Sequence, residues 1–90
     1  MIKLSKLTDY AVVVLAVLAD KKGTLMSASC LAGETSLPEP TVSKVLKLLS
    51  KGELIKSVRG AHGGYSIDKR PKEIRISDVI AAMELSLIHI

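Results

Sequence analysis

Lysines and short hydroxyl residues share one face of a helix that we expect over residues 39–51. Pro40 suits the first helical turn, and Gly52 supplies a stop. The candidate contact residues on this face are Pro40, Thr41, Ser43, Lys44, Lys47 and Lys51. Hydroxyl groups can hydrogen-bond to base edges in the major groove of a duplex, and ammonium groups can neutralise phosphates. The face therefore predicts a contact surface for double-stranded DNA.

The opposite face of this helix is apolar. Its members recur at the i, i+3, i+4, i+7 spacing and are Val42, Val45, Leu46 and Leu49. Such a stripe is typical of a helix that packs on a core. Because the stripe would be buried, the hydroxyl and ammonium groups would remain on the outside, where a duplex can reach them.

A glycine-rich segment with a cation follows the helix. Two β-prone runs, residues 54–58 and 65–67, flank residues 59–64 (RGAHGG), and this pattern predicts a hairpin. A loop that carries an arginine can enter an adjacent minor groove, where negative potential concentrates. The candidate contact residues here are Arg59, Gly60, His62, Gly63, Gly64 and Tyr65. Two alternatives stay open: His62 can simply be solvated, and Tyr65 can pack beneath the hairpin.

Positive charge is concentrated in the same region of the chain. The 90 residues carry 13 Lys and Arg against 9 Asp and Glu, a net charge of +4. Residues 1–43 are neutral, residues 44–75 hold nine basic and three acidic groups, and residues 76–90 hold two acidic groups. A basic block of this kind indicates a polyanionic partner, although lysines can also decorate a solvated helix face.

The first expected helix, over residues 5–20, carries apolar side chains on almost all sides. One side carries Ala11, Val14, Leu15 and Leu18, and the remaining surface carries Val12, Val13, Ala16 and Val17. A helix that is apolar all round is normally buried on more than one side. In so small a domain, we expect another copy of the chain to cover the second apolar side of this helix. The pattern therefore predicts a homodimer.

Two further helices complete the predicted order. Ser27 fits the N-cap of a helix ending at residue 35, which carries Cys30 as a small buried residue. After an expected loop over residues 68–73, Ser77 fits the N-cap of a helix to about residue 85. The order helix, helix, tight turn, helix, hairpin predicts a mainly α fold with a small β-hairpin, a winged helix-turn-helix. We assign residues 1–85 to this DNA-binding domain and 86–90 to a short apolar C-terminal tail.

Several classes of protein are disfavoured by composition. No Ser/His/Asp arrangement, carboxylate pair or zinc-ligand spacing is visible, so we do not expect an enzyme. Cys30 is the only cysteine, which excludes an intrachain disulfide and a multi-cysteine metal site. The longest apolar run, residues 10–19, is about half of a bilayer span, and Asp9 ahead of it disfavours a signal peptide. We therefore expect a cytoplasmic protein with no membrane contact.

Four segments resemble the Rrf2 family of bacterial winged-helix regulators. They are residues 4–11 (LSKLTDYA), 37–46 (LPEPTVSKVL), 59–65 (RGAHGGY) and 76–84 (ISDVIAAME). The branch that regulates the sulfur-mobilisation route of iron–sulfur cluster assembly is the most similar. The resemblance implies a homodimeric transcription factor, here a repressor of iron–sulfur or related stress genes. It also implies that Thr41, Ser43 and Lys44 read the major groove while Arg59 and His62 enter the minor groove.

The sequence departs from the family at its C-terminal end. Cluster-binding members carry three cysteines after the helix that corresponds to residues 77–85, and a long dimerisation helix follows. Neither feature occurs within these 90 residues. We therefore expect no iron–sulfur cluster or other cofactor in this chain, and a weakened homodimer. The alternative function is a protein-interaction module that docks a partner through the apolar first helix, with DNA binding secondary.

Overall fold

The computed structural model describes residues 6–21, 23–60, 63–67 and 74–88. Its helices and strands, in chain order, are α1 (Lys6–Asp20), α2 (Ala28–Thr35), α3 (Glu39–Lys51), β1 (Lys56–Val58), β2 (Gly64–Ser66) and α4 (Ile76–Ile88). The two strands form an antiparallel hairpin in which Ser57 pairs with Tyr65. This order confirms the predicted mainly α fold with a β-hairpin. No helix among the described residues is long and apolar enough to span a bilayer.

Helix α3 lies at the centre of the packing and contacts α1, α2 and α4. The four residues of its predicted apolar stripe, Val42, Val45, Leu46 and Leu49, are 0% exposed, which confirms the periodicity argument. Ala11, Val14, Leu15 and Leu18 of α1 are buried against them. Burial of each large aliphatic side chain contributes about 1.5–3 kcal/mol relative to exposure. The core thus fixes which face of α3 remains outside.

A tight turn joins α2 to α3. Helix α2 begins after Ser27, whose Oγ accepts a hydrogen bond from the backbone N–H of Cys30 at 3.0 Å, so the predicted N-cap is confirmed. The helix ends at Thr35, and the following residue, Ser36, caps it in the left-handed conformation with φ of 60°. Thr35 Oγ1 donates to the carbonyl of Leu31 at 2.7 Å, which closes the last turn of α2. Residues 36–38 then connect α2 to α3.

The predicted burial of Cys30 is wrong. Helix α2 has only eight residues, and Leu31 is its single fully buried side chain. Cys30 precedes Leu31 by one position and is therefore rotated about 100° from the core, where it is exposed.

The predicted limits of the last helix and of the strands also need correction. Helix α4 begins at Ile76, so Ser77 lies inside its first turn. The backbone N–H of Arg75 instead donates to Asp78 Oδ2 at 3.1 Å, which is half of a capping box. The helix continues to Ile88 rather than ending at residue 85. The predicted strand residues 54, 55 and 67 are buried in the core outside the hairpin, and the expected loop over residues 68–73 lies outside the described residues.

Candidate nucleic-acid interface

The exposed face of α3 carries the contact residues that the sequence predicts. Lys44, Lys47 and Lys51 are exposed, and Thr41 and Ser43 at the N-terminal end are half-buried. Pro40 occupies the first turn and is exposed. Short hydroxyl side chains therefore lie at the start of the helix and lysines lie along the rest of it. This is the order that a helix needs if its N-terminal end is to contact base edges in a major groove.

The hairpin forms a wing beside α3, which we define as β1, β2 and the described residues between them, Arg59, Gly60 and Gly63. Arg59 and Gly60 are exposed at the tip. The backbone N–H of Gly63 donates to the carbonyl of Gly60 at 3.0 Å and closes the turn. Gly60 has a φ of +121°, a conformation that residues with a Cβ rarely adopt. His62 lies outside the described residues, so its predicted role stays a prediction.

The wing is joined by hydrogen bonds to Met26, two residues before α2 begins. Met26 and Tyr65 form an isolated bridge, in which each backbone N–H donates to the other's carbonyl at 2.8 Å. A Cβ added to Gly64 would lie only 2.9 Å from the carbonyl oxygen of Met26, so glycine is required for this close approach. Tyr65 is half-buried and packs against the core. The expected packing of Tyr65 beneath the hairpin is therefore present, while its contact with DNA stays a prediction.

A basic groove of about 500 Å³ lies between α2, α3 and the wing. It is lined by Ser27, Ala28, Lys47, Ser50, Lys51, Ser57, Val58, Arg59, Gly60, Gly63, Gly64 and Tyr65. Three of these residues are cationic, and none of the described residues that line the groove is acidic. The sequence predicted its cations but missed Ser27, Ser50 and Ser57. The Met26–Tyr65 bridge joins the wing to the residue before Ser27, a long-range contact that no local pattern indicates. We call the exposed cations Lys44, Lys47, Lys51 and Arg59 the basic face.

The first helix keeps an apolar surface that the core does not cover. Val12 is 41% and Val13 is 42% exposed, and Ile76 at the start of α4 is 53% exposed. A second groove of about 300 Å³ runs between the two helices, and Val12, Ala16 and Ile76 contribute to its lining. We call Val12, Val13, Ala16 and Ile76 the apolar face. Val12, Val13 and Ala16 belong to the second apolar side that the sequence predicts for this helix, whereas Val17 of that side is half-buried and packs against the core.

Comparison with known proteins finds one family model over nearly the whole chain. The Rrf2 model, described as an iron-dependent transcriptional regulator, matches residues 4–90. Among relatives, an HTH-type transcriptional regulator of Aquifex aeolicus is 38% identical over 71 residues, which are 79% of this chain and 49% of that protein. The HTH-type transcriptional regulator NsrR of Bacillus licheniformis is 34% identical over 83 residues, 91% of this chain and 58% of that protein. The chain spans about half the length of the curated relatives it matches.

Solved structures give the same result for the fold. CymR of Bacillus subtilis, described as its global cysteine regulator, superimposes with a TM-score of 0.84 at 32% identity, over 93% of this chain and 66% of that one. IscR of T. potens superimposes with a TM-score of 0.80 at 34% identity, over 92% of this chain and 61% of that one. The arrangement of α1–α4 and the wing is therefore similar to that of regulators whose sequences differ at two positions in three.

Proposed function

The chain belongs to the Rrf2 family of transcriptional regulators, and from this premise we propose that it binds double-stranded DNA in a sequence-specific manner. In this proposal α3 enters the major groove and the wing enters the adjacent minor groove. The family and the relatives are regulators and not enzymes, in agreement with the expectation from the sequence.

The division of α3 into two faces is the observation that carries the proposal. Val42, Val45 and Leu46 are completely buried, while Lys44 and Lys47, which alternate with them along the chain, are exposed. Folding alone requires only that the outer face be polar. A row of cations without intervening acidic residues is favoured where the partner is a polyanion.

The roles of individual residues follow from their positions. We assign Thr41 and Ser43 to base edges of the major groove, since they lie in the first turns of α3. Lys44, Lys47 and Lys51, further along the helix, would neutralise phosphates. Pro40 would set the approach of the helix start, and Arg59 with Gly60 would enter the minor groove. His62 remains a candidate on the sequence alone.

A second copy of the chain would cover the apolar face. Helix-turn-helix dimers place their two reading helices about 34–36 Å apart, one turn of the duplex, and so recognise a palindromic site. The exposed Val12 and Val13 supply apolar surface for such an interface. The same surface also supports the second candidate function, an interaction module that docks another protein.

The genes under control are proposed from the family. We propose a repressor of iron–sulfur assembly or related stress genes, supported by the iron-dependent description of the family model and the resemblance of the motifs. The residues present do not fit an iron–sulfur cluster, because such clusters need several thiolates and Cys30 is the only cysteine. Within the described ranges no group of three or more His, Cys, Asp or Glu side chains could hold a metal ion. We therefore propose that these residues act on DNA without a bound cluster.

Selection of bound duplexes from fragmented genomic DNA tests the proposal. We expect enrichment of a palindromic site. Light scattering should give the mass of two chains for the species that binds the duplex. Thr41→Ala and Ser43→Ala should relax the enriched sequence, since they remove base contacts and leave phosphate contacts intact. A stable monomer that ignores duplex DNA at low salt would contradict the proposal and favour the interaction module.

A further inference from the structure

The basic groove lies where a single DNA strand has to pass. In a duplex, one sugar–phosphate backbone separates a major groove from the neighbouring minor groove. If α3 occupies the first and the wing occupies the second, that backbone runs between α3 and the wing. The groove of about 500 Å³ opens at this position, with Lys47 and Lys51 on one wall and Arg59 on the other.

We propose that this groove is a preformed seat for consecutive phosphates of one DNA strand, and that Ser57 and the start of α2 are part of it. The proposal rests on the proposed function and deepens it, since neither Ser57 nor α2 belongs to the reading residues assigned above. Ser57 lies in β1, is exposed and lines the groove, so its hydroxyl can donate to a phosphate oxygen.

The start of α2 adds donors to the lysines. Ser27 and Ala28 line the groove. Cys30 already donates its backbone N–H to Ser27 Oγ, but the N–H groups of Ala28 and Ser29 lie in the first turn, where a helix offers no acceptor and the positive end of its dipole lies. The three cations favour an anionic group in the groove. The N–H groups at the start of α2 can give this group directional hydrogen bonds.

Backbone hydrogen bonds hold the walls of the seat together. The Met26–Tyr65 bridge links the wing to the residue just before Ser27, with both bonds at 2.8 Å. The close approach of Gly64 to Met26 leaves no space between them. Because the walls are fixed before the strand arrives, little conformational entropy is lost on binding.

An isosteric pair at Ser57 tests the seat in the full chain. Ser57→Asp places a carboxylate among the phosphates, whereas Ser57→Asn has nearly the same shape without the charge. On a mixed-sequence duplex at about 50 mM salt, we expect Ser57→Asp to bind about five- to tenfold more weakly than Ser57→Asn. Equal melting temperatures by circular dichroism would show that the two variants fold alike.

Control substitutions distinguish a local effect at the seat from the general electrostatic effect of an added charge. Thr24→Asp adds the same charge at an exposed position that lines neither groove, and it should change duplex affinity less than about threefold. Lys51→Ala should lower the slope of log affinity against log salt by about one, while Lys21→Ala at the end of α1 should leave the slope unchanged.

Neutral linkages then locate the seat on the DNA. A series of duplexes, each with one methylphosphonate, is measured against the wild-type chain and Ser57→Asp. We expect that one or two adjacent neutral linkages lower the duplex affinity of the wild-type chain but not that of Ser57→Asp. Equal effects of Ser57→Asp and Thr24→Asp, or of Ser57→Asp and Ser57→Asn, would overturn the seat while leaving the proposed function intact. Absence of duplex binding by the wild type would overturn both.

Discussion

The basic face and the apolar face are both exposed, but water solvates the first, whereas the second is stabilised when another surface covers it. The outer face of α3 is polar, so water solvates Lys44, Lys47 and Lys51 without penalty in the free chain. The outer face of α1 exposes Val12 and Val13 at about two-fifths of their surface each, which is unfavourable unless something covers them. DNA affinity and assembly should therefore reside in different helices, and substitutions should separate them.

The largest effect is expected from a substitution in the core, because the core holds both the basic face and the apolar face in place. Leu46→Ala removes a side chain that is 0% exposed on the buried side of α3, so we expect a loss of about 2–5 kcal/mol in the free energy of unfolding. Lys44→Ala, on the outer side of the same helix, should change it by less than about 0.5 kcal/mol. Urea denaturation measures both variants. A loss below about 1 kcal/mol for Leu46→Ala would contradict the buried position of this side chain.

A charge on the apolar face should affect assembly and leave the reading helix intact. Val13→Asp buries a carboxylate in each copy of a homodimer, and we expect about 2 kcal/mol weaker association. Sedimentation equilibrium measures the association, and circular dichroism of the dilute protein checks the fold. Thr24→Asp adds the same charge at an exposed position after the end of α1, outside the apolar face, and serves as the control. If the wild type is already monomeric at high concentration, the assignment of this face to a second copy is wrong.

Within the DNA interface, Thr41 and Lys44 should behave differently. Thr41→Val keeps the shape and removes a hydroxyl, so it should lower discrimination between the selected site and a scrambled site by about 1 kcal/mol. Lys44→Ala should weaken binding to both sites and lower the salt slope by about one. Fluorescence anisotropy on the two duplexes separates these outcomes. The division between reading and phosphate contacts fails if Thr41→Val leaves the discrimination unchanged.

The smallest effect is expected at Cys30. Its side chain is exposed on α2, so Cys30→Ser should change the free energy of unfolding by less than about 0.5 kcal/mol. Thermal melting under reducing conditions measures it. A loss of more than about 1 kcal/mol would indicate a buried thiol and restore the expectation from the sequence.

Features with a local or periodic cause could be predicted from the sequence. The stripe of Val42, Val45, Leu46 and Leu49 is a property of one helix, and all four residues are buried as expected. The N-cap at Ser27 depends on a bond to a residue three positions away, and it too was predictable. The cap of α4 was misplaced because Ser77 and the Arg75–Asp78 pair are both compatible with a helix start.

Features that depend on distant contacts could not be predicted. The Met26–Tyr65 bridge joins residues far apart in the chain, and neither belongs to a periodic pattern. Without this bridge the sequence gives no reason to place Ser27 and Ser57 in one groove. The exposure of Cys30 is a similar case, because an eight-residue helix has too few turns for periodicity to define its buried side. The candidate site was therefore predicted as a list of residues, and the shape of its groove came only from the structure.

The salt dependence of duplex affinity tests the central claim most directly. With four cations on the basic face, each near one phosphate, the slope of log affinity against log salt should be about −3 to −4 per chain. Titrations of the 90-residue chain with a selected duplex, across a series of salt concentrations, give this slope. An affinity that hardly changes from low to high salt would contradict the account that the basic face binds the DNA backbone.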